Sequence, residues 1–407
     1  MNKIDIDRIN YYLLLFFSFM LPLSRATDTI FSIYFSIYFF IYLIFNLKKT
    51  KIYKSNFFLI TFIFILYTLL SLLWNSSNLK LGDATHYLQW FALFGVALFI
   101  KKEKSRVHNI LTAFLLGMVV SEVLSYGMFF NLWKINGLGA EEPTPFMMHI
   151  DYSIYIALAA LILLNRLFSQ KYSLKEKLIM SFFFITMSGN LFINGGRTGQ
   201  LAFIIAIFVA FFLHFRVTLK NILIVIFFTA SILTTAFYTS AQFNNRAKLA
   251  ISDIDKLSKQ NYESSWGQRV AMWKISPSII KQNLIFGSGI NSQKDVVSKF
   301  IDTQNPKYLS KYTKNFIKHN HLHNQFLQIV VELGVVGLIL IFAIFYQISK
   351  FNIVIKEFKE LKIIFLIIFI IGCLPEPLFL KQFTNILFIL FVGLLFGLEL
   401  NNKRQML

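Results

Sequence analysis

The chain has 407 residues, of which 56% are hydrophobic and 48 are phenylalanine, and its formal net charge is +20. Apolar residues gathered in long runs are typical of an integral membrane protein and exclude an ordinary soluble domain. The surplus of Lys and Arg therefore indicates mainly how the chain is oriented in the membrane, and secondarily that it binds an anionic ligand. Too little of the chain lies outside the bilayer to form a nucleic-acid surface. The single cysteine, Cys373, excludes an intrachain disulfide.

The apolar runs predict about twelve membrane helices in an all-α polytopic fold, which forms one membrane domain over residues 1–407. In chain order the predicted spans are 10–24, 28–47, 56–74, 87–100, 109–131, 151–168, 178–194, 199–215, 221–239, 325–347, 363–375 and 384–399. Several are short for a bilayer core of about 30 Å, so we expect some flanking polar residues to be drawn inside.

Basic residues follow every even-numbered predicted span. They are Lys48, Lys49, Lys51 and Lys54, then Lys101, Lys102, Lys104 and Arg106, then Lys171, Lys175 and Lys177, then Arg216 and Lys220, then Lys350, Lys356, Lys359 and Lys362, and finally Lys403 and Arg404. Because short loops rich in Lys and Arg stay in the cytoplasm, we expect both termini there.

Residues 240–322 form one long loop on the opposite, outer side, with 13 Lys and Arg against five Asp and Glu. The short-loop charge rule does not govern a segment of this length, so its basic character indicates an anionic partner. Apolar residues spaced along it predict amphipathic helices lying over the membrane core. They are Trp266, Trp273, Ile279, Ile280, Ile285 and Phe286.

Arginines stand at three places on the outer side. Arg25 follows the first span, and Arg197 lies within residues 195–199 (Gly-Gly-Arg-Thr-Gly), where span eight opens. Arg269 lies within residues 267–273 (Gly-Gln-Arg-Val-Ala-Met-Trp) of the long loop. A planar guanidinium can bind a phosphate with two parallel hydrogen bonds, and a helix start adds free backbone N–H groups. The plain alternative for each is an arginine that only anchors the chain at the interface.

Three of the seven histidines lie in residues 319–324 (His-Asn-His-Leu-His-Asn), just before span ten. Imidazole titrates near neutrality, so a histidine held there can take a proton during chemistry. The alternative is a set of interfacial polar residues. Further along, Gly334 and Gly337 are three residues apart, so we expect them to share a helix face that a neighbouring helix approaches closely.

One carboxylate pattern points to a metal. Asp253 and Asp255 have the Asp-x-Asp spacing that binds metal in sugar-nucleotide transferases, but Asp5 and Asp7 repeat it on the cytoplasmic side. We expect no metal and no cofactor.

The pattern His323-Asn324-x9-Gly334-x2-Gly337 resembles the signature of the O-antigen ligase family and its relatives, the O-antigen polymerases. The segments around Arg197 and Arg269 resemble the same family in the same order, so the likeness covers residues from about 195 to 340. It implies a lipid-dependent, GT-C-like glycosyltransferase fold in the bacterial inner membrane, with a large periplasmic helical loop and a periplasmic active site.

The resemblance also implies roles for single residues. His323 would be the catalytic base, and Arg197, Arg269 and Arg25 would bind the substrate pyrophosphate. The supporting residues would be His321, His319, Asn324, Thr198, Gly334 and Gly337.

The implied reaction transfers a finished glycan from undecaprenyl pyrophosphate to a sugar of the lipid A–core. Membrane lipids are a further expected partner, since they would surround the protein. Outside the inner membrane no ATP or sugar nucleotide drives the transfer, so the donor brings its own leaving group. Fixed arginines can stabilise a departing pyrophosphate without a metal, and direct attack at the anomeric carbon inverts its configuration.

Three alternatives use similar features. An O-antigen polymerase takes the same donor with a second lipid-linked glycan as acceptor, and a protein-glycosylating relative takes a protein. A lipid-linked glycan flippase or another transporter usually shows repeated halves and broken spans at mid-membrane. This sequence shows neither pattern, and its polar residues gather at one membrane face.

Overall fold

The computed structural model describes residues 6–46, 52–75, 84–100 and 105–405. These parts are helical, with 78% helix and no strand among them. The helices are α1 Ile6–Met20, α2 Arg25–Asn46, α3 Asn56–Leu70, α4 Thr85–Leu88, α5 Phe91–Ile100, α6 Arg106–Phe129, α7 His149–Leu167, α8 Leu174–Ile193, α9 Arg197–Phe212, α10 Leu219–Thr239, α11 Ala241–Ser258, α12 Ser265–Ile280, α13 Gln293–Gln304, α14 Lys311–His319, α15 Gln325–Ser349, α16 Lys356–Cys373 and α17 Gln382–Gln405. The predicted basic residues Lys48, Lys49, Lys51, Lys101, Lys102 and Lys104, together with Asp5, lie outside the described residues.

Every predicted span coincides with a helix. Seven helices among the described residues are long and apolar enough to cross a membrane: α2, α3 with its short extension to Trp74, α6, α7, α8, α15 and α17. Shorter apolar helices cover Thr85–Ile100, Arg197–Phe212 and Leu219–Thr235. The chain is thus a helical protein of the membrane type, while the number of twelve spans stays a prediction.

Helix α2 shows how the bundle faces its surroundings. Ile33, Ile37 and Ile44 are at least half exposed on one side, while Phe31 and Phe35 on the other are fully buried. The spacing of three and four residues gives the helix two apolar faces, one for the core and one for the exterior. An apolar exterior of this kind fits lipid rather than water.

Helix α17 is the centre of the bundle, and its apolar segment is completely buried. A Cβ atom at Gly393 would lie 2.8 Å from Val96 Cβ, and one at Gly397 would lie 2.6 Å from Ile100 Cβ. Small residues four apart therefore let α5 pack directly on the backbone of α17.

Residues 240–324 lie at one end of the bundle, which we call the loop end. They contain helices α11 to α14, as the amphipathic pattern predicted, and these enclose a small apolar core of their own. That core includes Met272, Ile275 and Ile317 and continues onto Val331 of α15. The loop is thereby fixed to the start of α15.

Helix α15 is kinked at Gly334, whose φ of 66° and ψ of −168° are not helical. Residues 284–289 run alongside the kink. The amides of Val335 and Val336 donate to the carbonyls of Leu284 and Ile285 at 2.9 and 3.2 Å. Two bonds run the other way: the Ser288 amide donates to the Val331 carbonyl at 3.0 Å, and the Gly289 amide to that of Glu332 at 2.8 Å. Backbone groups released by the kink are paired in this way.

The expectation that Gly334 and Gly337 share a face for a neighbouring helix is wrong. A Cβ at Gly334 would lie 2.2 Å from the carbonyl oxygen of Ile285, which belongs to the turn after α12 rather than to a helix. The atom nearest to a Cβ at Gly337 would be the Leu333 Cβ at 2.4 Å, which belongs to α15 itself and not to a neighbouring helix. Gly334 is required because no side chain fits against that segment and because its backbone conformation is one that glycine alone adopts readily.

Candidate active site

The histidine segment joins α14 to α15 at the loop end. Asn324 caps α15, because its side-chain oxygen accepts from the amides of Phe326 and Leu327, both at 2.9 Å. His323, just before it, has a left-handed backbone with φ of 47°. The Trp273 indole N–H donates to the Leu322 carbonyl at 3.1 Å, so α12 holds the segment from the other side. Left-handed non-glycine residues are uncommon and tend to occur where function fixes a side chain.

Glu376 lies at the centre of the site. Its side chain is fully buried, and its Oε1 atom lies 3.0 Å from His323 Nδ1 and 2.5 Å from Arg269 Nη2. Its Oε2 atom lies 3.9 Å from His321 Nε2. The turn between α16 and α17 positions it, with Pro375 and Pro377 on either side. One carboxylate thus joins an arginine of α12 to two histidines of the segment before α15.

Electrostatics fix the charge of this carboxylate. Burial would raise the pKa of Glu376, but the hydrogen bond with His323 and the positive charges of Arg269 and Lys381 lower it below its usual range. Glu376 is therefore a carboxylate that only accepts hydrogen bonds, so Nδ1 of His323 carries the proton. The Nε2 atom of His323 then holds the lone pair and can act as a base.

His321 behaves differently from His323. Burial, reinforced by the positive charges of Lys381 and Arg269, lowers the pKa of His321 to about 3. Its Nδ1 atom accepts from the backbone amide of His323 at 3.3 Å, which fixes the ring as a neutral tautomer with the proton on Nε2. His321 thus orients the next histidine. His319 is exposed at the end of α14, and its Nδ1 atom is 2.8 Å from the Asn315 carbonyl, away from Glu376.

Helix α12 also brings the second predicted arginine to the site. Arg197 begins α9, and its Nη2 atom donates to Ser265 Oγ at 3.3 Å. Ser265 lies one helical turn before Arg269, on the same face of α12. Arg197 and Arg269 therefore lie along one helix face, as expected for two groups that share a ligand.

Two of the amides expected to be free at the start of α9 are bound to side chains, and for these two the prediction is wrong. The Gly196 amide donates to Asn194 Oδ1 at 2.8 Å, and the Gly199 amide donates to Ser153 Oγ at 3.1 Å. Thr198, between them, is buried in the first turn. Because Asn194 and Ser153 already occupy these two amides, the prediction of anion binding here depends mainly on the Arg197 side chain.

Arg25 is not among the described residues that contact Glu376; it lies beside the start of α17 instead. Its Nε atom donates to Gln382 Oε1 at 2.8 Å, at the start of α17. It lines a cavity of about 440 Å³ with Asp151 and Lys381. The structure thus groups His321, His323 and Arg269 on Glu376 and leaves Arg25 on a neighbouring cavity.

Sequence reasoning did not find Glu376 or Lys381. A signal was present, because an acidic residue between two prolines stands in the short turn between the last two predicted spans. The alternation of sides assigns that turn to the same face as the long loop. The partners of Glu376 are His323 and Arg269, which lie 53 and 107 residues away in the chain, so the sequence around Glu376 does not indicate them.

His321, His323 and Glu376 could also hold a metal ion, since their ligand atoms all lie within 4.8 Å of one another. Arg269 competes with such an ion for Glu376 Oε1, and its positive charge opposes a second cation there. Of the two aspartates considered as metal ligands, Asp255 forms an ion pair with Lys259 in α11. Chemistry without a metal stays a prediction.

An apolar helical bundle with imidazole, guanidinium and carboxylate groups gathered at one end defines a membrane protein with an enzyme-like polar site. Residues 182–342 match the family described as O-Antigen ligase, which confirms the resemblance seen in the sequence over this region. The matched region contains Arg197, Arg269, His321 and His323, whereas Glu376 lies beyond it.

A curated relative is an uncharacterized protein of Haemophilus influenzae (strain ATCC 51907 / DSM 11121 / KW20 / Rd). It is 32% identical over 231 residues, which is 54% of this chain and 56% of the relative. The match therefore spans little more than half the length of either protein.

Proposed function

We propose that this protein is an O-antigen ligase, which transfers a glycan from undecaprenyl pyrophosphate to a sugar of the lipid A–core at the periplasmic face of the inner membrane. The observation that carries the proposal is the pairing of His323 with the buried carboxylate of Glu376, beside Arg269. The family match supports the ligase or polymerase type of reaction.

In this proposal His323 is the general base. Its Nε2 atom takes the proton of the acceptor hydroxyl while the hydroxyl oxygen forms a bond to the anomeric carbon of the donor. The bond from that carbon to the pyrophosphate oxygen breaks, and the pyrophosphate leaves with the electron pair, so the configuration inverts. Glu376 holds the ring in the required tautomer and stabilises the imidazolium that forms, as carboxylates do beside catalytic histidines.

The arginines act on the leaving group. Arg269 has five N–H donors, and one N–H on Nη2 serves Glu376, so others remain for a phosphate oxygen. Arg197 begins α9, and its side chain contacts Ser265, one turn before Arg269 on α12, so it adds a second guanidinium. Fixed positive charges next to the departing pyrophosphate stabilise the charge that develops there, and a divalent ion is not required. Transfer by purified protein in excess EDTA tests this; activity lost in EDTA and restored by Mg²⁺ or Mn²⁺ contradicts it and favours a metal on His321, His323 and Glu376.

The reaction itself is tested with a deletion strain. Loss of glycan from lipopolysaccharide with accumulation of long lipid-linked polymer is the expected result, restored by wild-type protein and not by His323→Ala. Single repeats on the core would instead identify an O-antigen polymerase. Unchanged lipopolysaccharide together with a loss of glycan from proteins would identify a protein-glycosylating relative.

A further inference from the structure

The cavity of about 440 Å³ beside Glu376 is lined by the segment that precedes α7 and by the turn that opens α17. Its charged lining residues are Arg25, Glu142, Asp151 and Lys381. This volume is in the usual range of small-molecule sites, roughly 300–1,000 Å³. Arg197 and Arg269 do not line it.

Two of these groups have unused binding capacity. Asp151 is only 5% exposed, and its Oδ1 atom has no hydrogen-bond partner among the described residues. A buried oxygen without a partner is costly, so a ligand hydroxyl that donates to it would gain the full value of that bond. The Lys381 ammonium forms no hydrogen bond or ion pair with any residue that the structure describes, whereas Glu142 is held by His149 Nδ1 at 2.9 Å. The cavity therefore combines an acceptor for a hydroxyl with a cation for an anionic group.

The position of the cavity relative to the base indicates which substrate it holds. Lys381, which lines the cavity, lies five residues after Glu376 in the short connection between α16 and α17, so the cavity adjoins the turn that carries the partner of His323. In a direct displacement the attacking hydroxyl and the leaving group approach the anomeric carbon from opposite sides. With the pyrophosphate on Arg197 and Arg269, the sugar that fills this cavity is the acceptor.

We propose that this cavity is the acceptor subsite, with Asp151 accepting a hydrogen bond from a hydroxyl of the acceptor sugar and Lys381 binding an anionic substituent on it. The proposal rests on the proposed function, since it assumes glycan transfer at His323.

The test is steady-state transfer by the full-length protein, with lipid-linked glycan as donor and purified lipid A–core as acceptor. Asp151→Asn and Lys381→Met should each raise the KM for the acceptor about tenfold or more, because a hydrogen bond involving a charged group is lost. The KM for the donor should stay near the wild-type value. Asp255→Asn and Lys311→Met are matched controls, since both residues are exposed and neither lines the cavity.

A rise in the donor KM without one in the acceptor KM would overturn the proposal, as would no change in either variant. With an acceptor freed of phosphate by hydrogen fluoride, Lys381→Met and wild type should give equal KM values, and a persisting difference contradicts the anionic contact. Direct binding of lipid A–core to His323→Ala protein, with and without Asp151→Asn, gives the same comparison without turnover. Wild-type protein that binds lipid A–core but transfers nothing to it would contradict the proposed function rather than this subsite.

Discussion

The Nδ1 atom of His323 lies 3.0 Å from Oε1 of Glu376, although 53 residues separate the two in the chain. The carboxylate is fully buried, so this contact is shielded from water and strongly directional. We expect His323 to be the base among the three neighbouring histidines, because His321 uses its lone pair to accept from the His323 amide and His319 donates to the Asn315 carbonyl rather than to a carboxylate.

The first prediction separates the three histidines. His323→Ala should reduce transfer to about one hundredth or less, the usual loss when a general base is removed, while donor binding persists. His319→Ala should be mild, because His319 contacts only the Asn315 carbonyl. His321→Ala should fall between the two. Transfer and donor binding measured separately for all three variants decide the matter, and a dead His321→Ala beside an active His323→Ala would reassign the base.

The second prediction concerns Glu376 as a positioning residue. Glu376→Gln keeps the shape of the side chain but removes its charge, so the imidazolium formed during transfer loses its negative neighbour. We expect kcat to fall by about 10²- to 10⁴-fold with little change in substrate KM, and the acidic limb of the rate profile to move to lower pH. Glu263→Gln, on an exposed residue of the loop, is the matched control. A purely structural role would lower the amount of folded protein without moving the pH profile.

The third prediction concerns Arg269 of α12 and Arg197 of α9, whose side chain contacts α12. Arg197→Ala should lower transfer by about 10²- to 10³-fold, and Arg197→Lys should restore only part of it, because an ammonium cannot make the two parallel bonds of a guanidinium. Arg269→Ala should have the additional effect of destabilising the protein, since buried Glu376 loses a charged partner. Arg216→Ala, on an exposed residue just beyond the far end of α9, should change neither property. Near-normal ligation by both arginine variants would place the anion site at Arg25.

The fourth prediction is a loss of stability in acid. Burial lowers the pKa of His321 in the folded state to about 3, below its ordinary value of 6.5, so the unfolded chain binds a proton first as the pH falls. Stability should therefore decline from about pH 6.5 downward. Glu376 acts in the same direction at lower pH, because its folded-state pKa lies below its ordinary value of 4.5. Thermal unfolding of the detergent-solubilised protein at pH 7.5, 6.0 and 5.0 measures this, and His321→Gln should flatten the decline between pH 6.5 and 5. An equally steep decline in that variant would show that other groups cause it.

The sequence was sufficient for the helices and for part of the site. Each span predicted from a long apolar run falls on a helix, because a helix buried in lipid or in the core needs such a run. The residues of the family pattern, His323 and Arg269, also proved to be neighbours in space. Glu376 could not be assigned to them, because its role depends on how α12, α15 and the turn before α17 meet. The kink at Gly334 was equally hidden, since the apolar run from 325 to 347 continues through it without a break.

The last prediction tests that kink. Gly334→Ala places a Cβ 2.2 Å from the Ile285 carbonyl oxygen and imposes a backbone conformation that costs a non-glycine residue on the order of 1–3 kcal/mol. The segment 284–289 would have to leave α15 and lose its backbone hydrogen bonds, so little folded protein should be recovered. Gly139→Ala, whose Cβ would lie 3.6 Å from the Lys134 side chain at ordinary contact distance, should be recovered far better. Size-exclusion profiles and unfolding temperatures of the two variants in detergent measure the difference. Equal recovery of both variants would show that residues 284–289 are not fixed against α15. The segment could then not be what holds α12, and with it Arg269, in position beside Glu376.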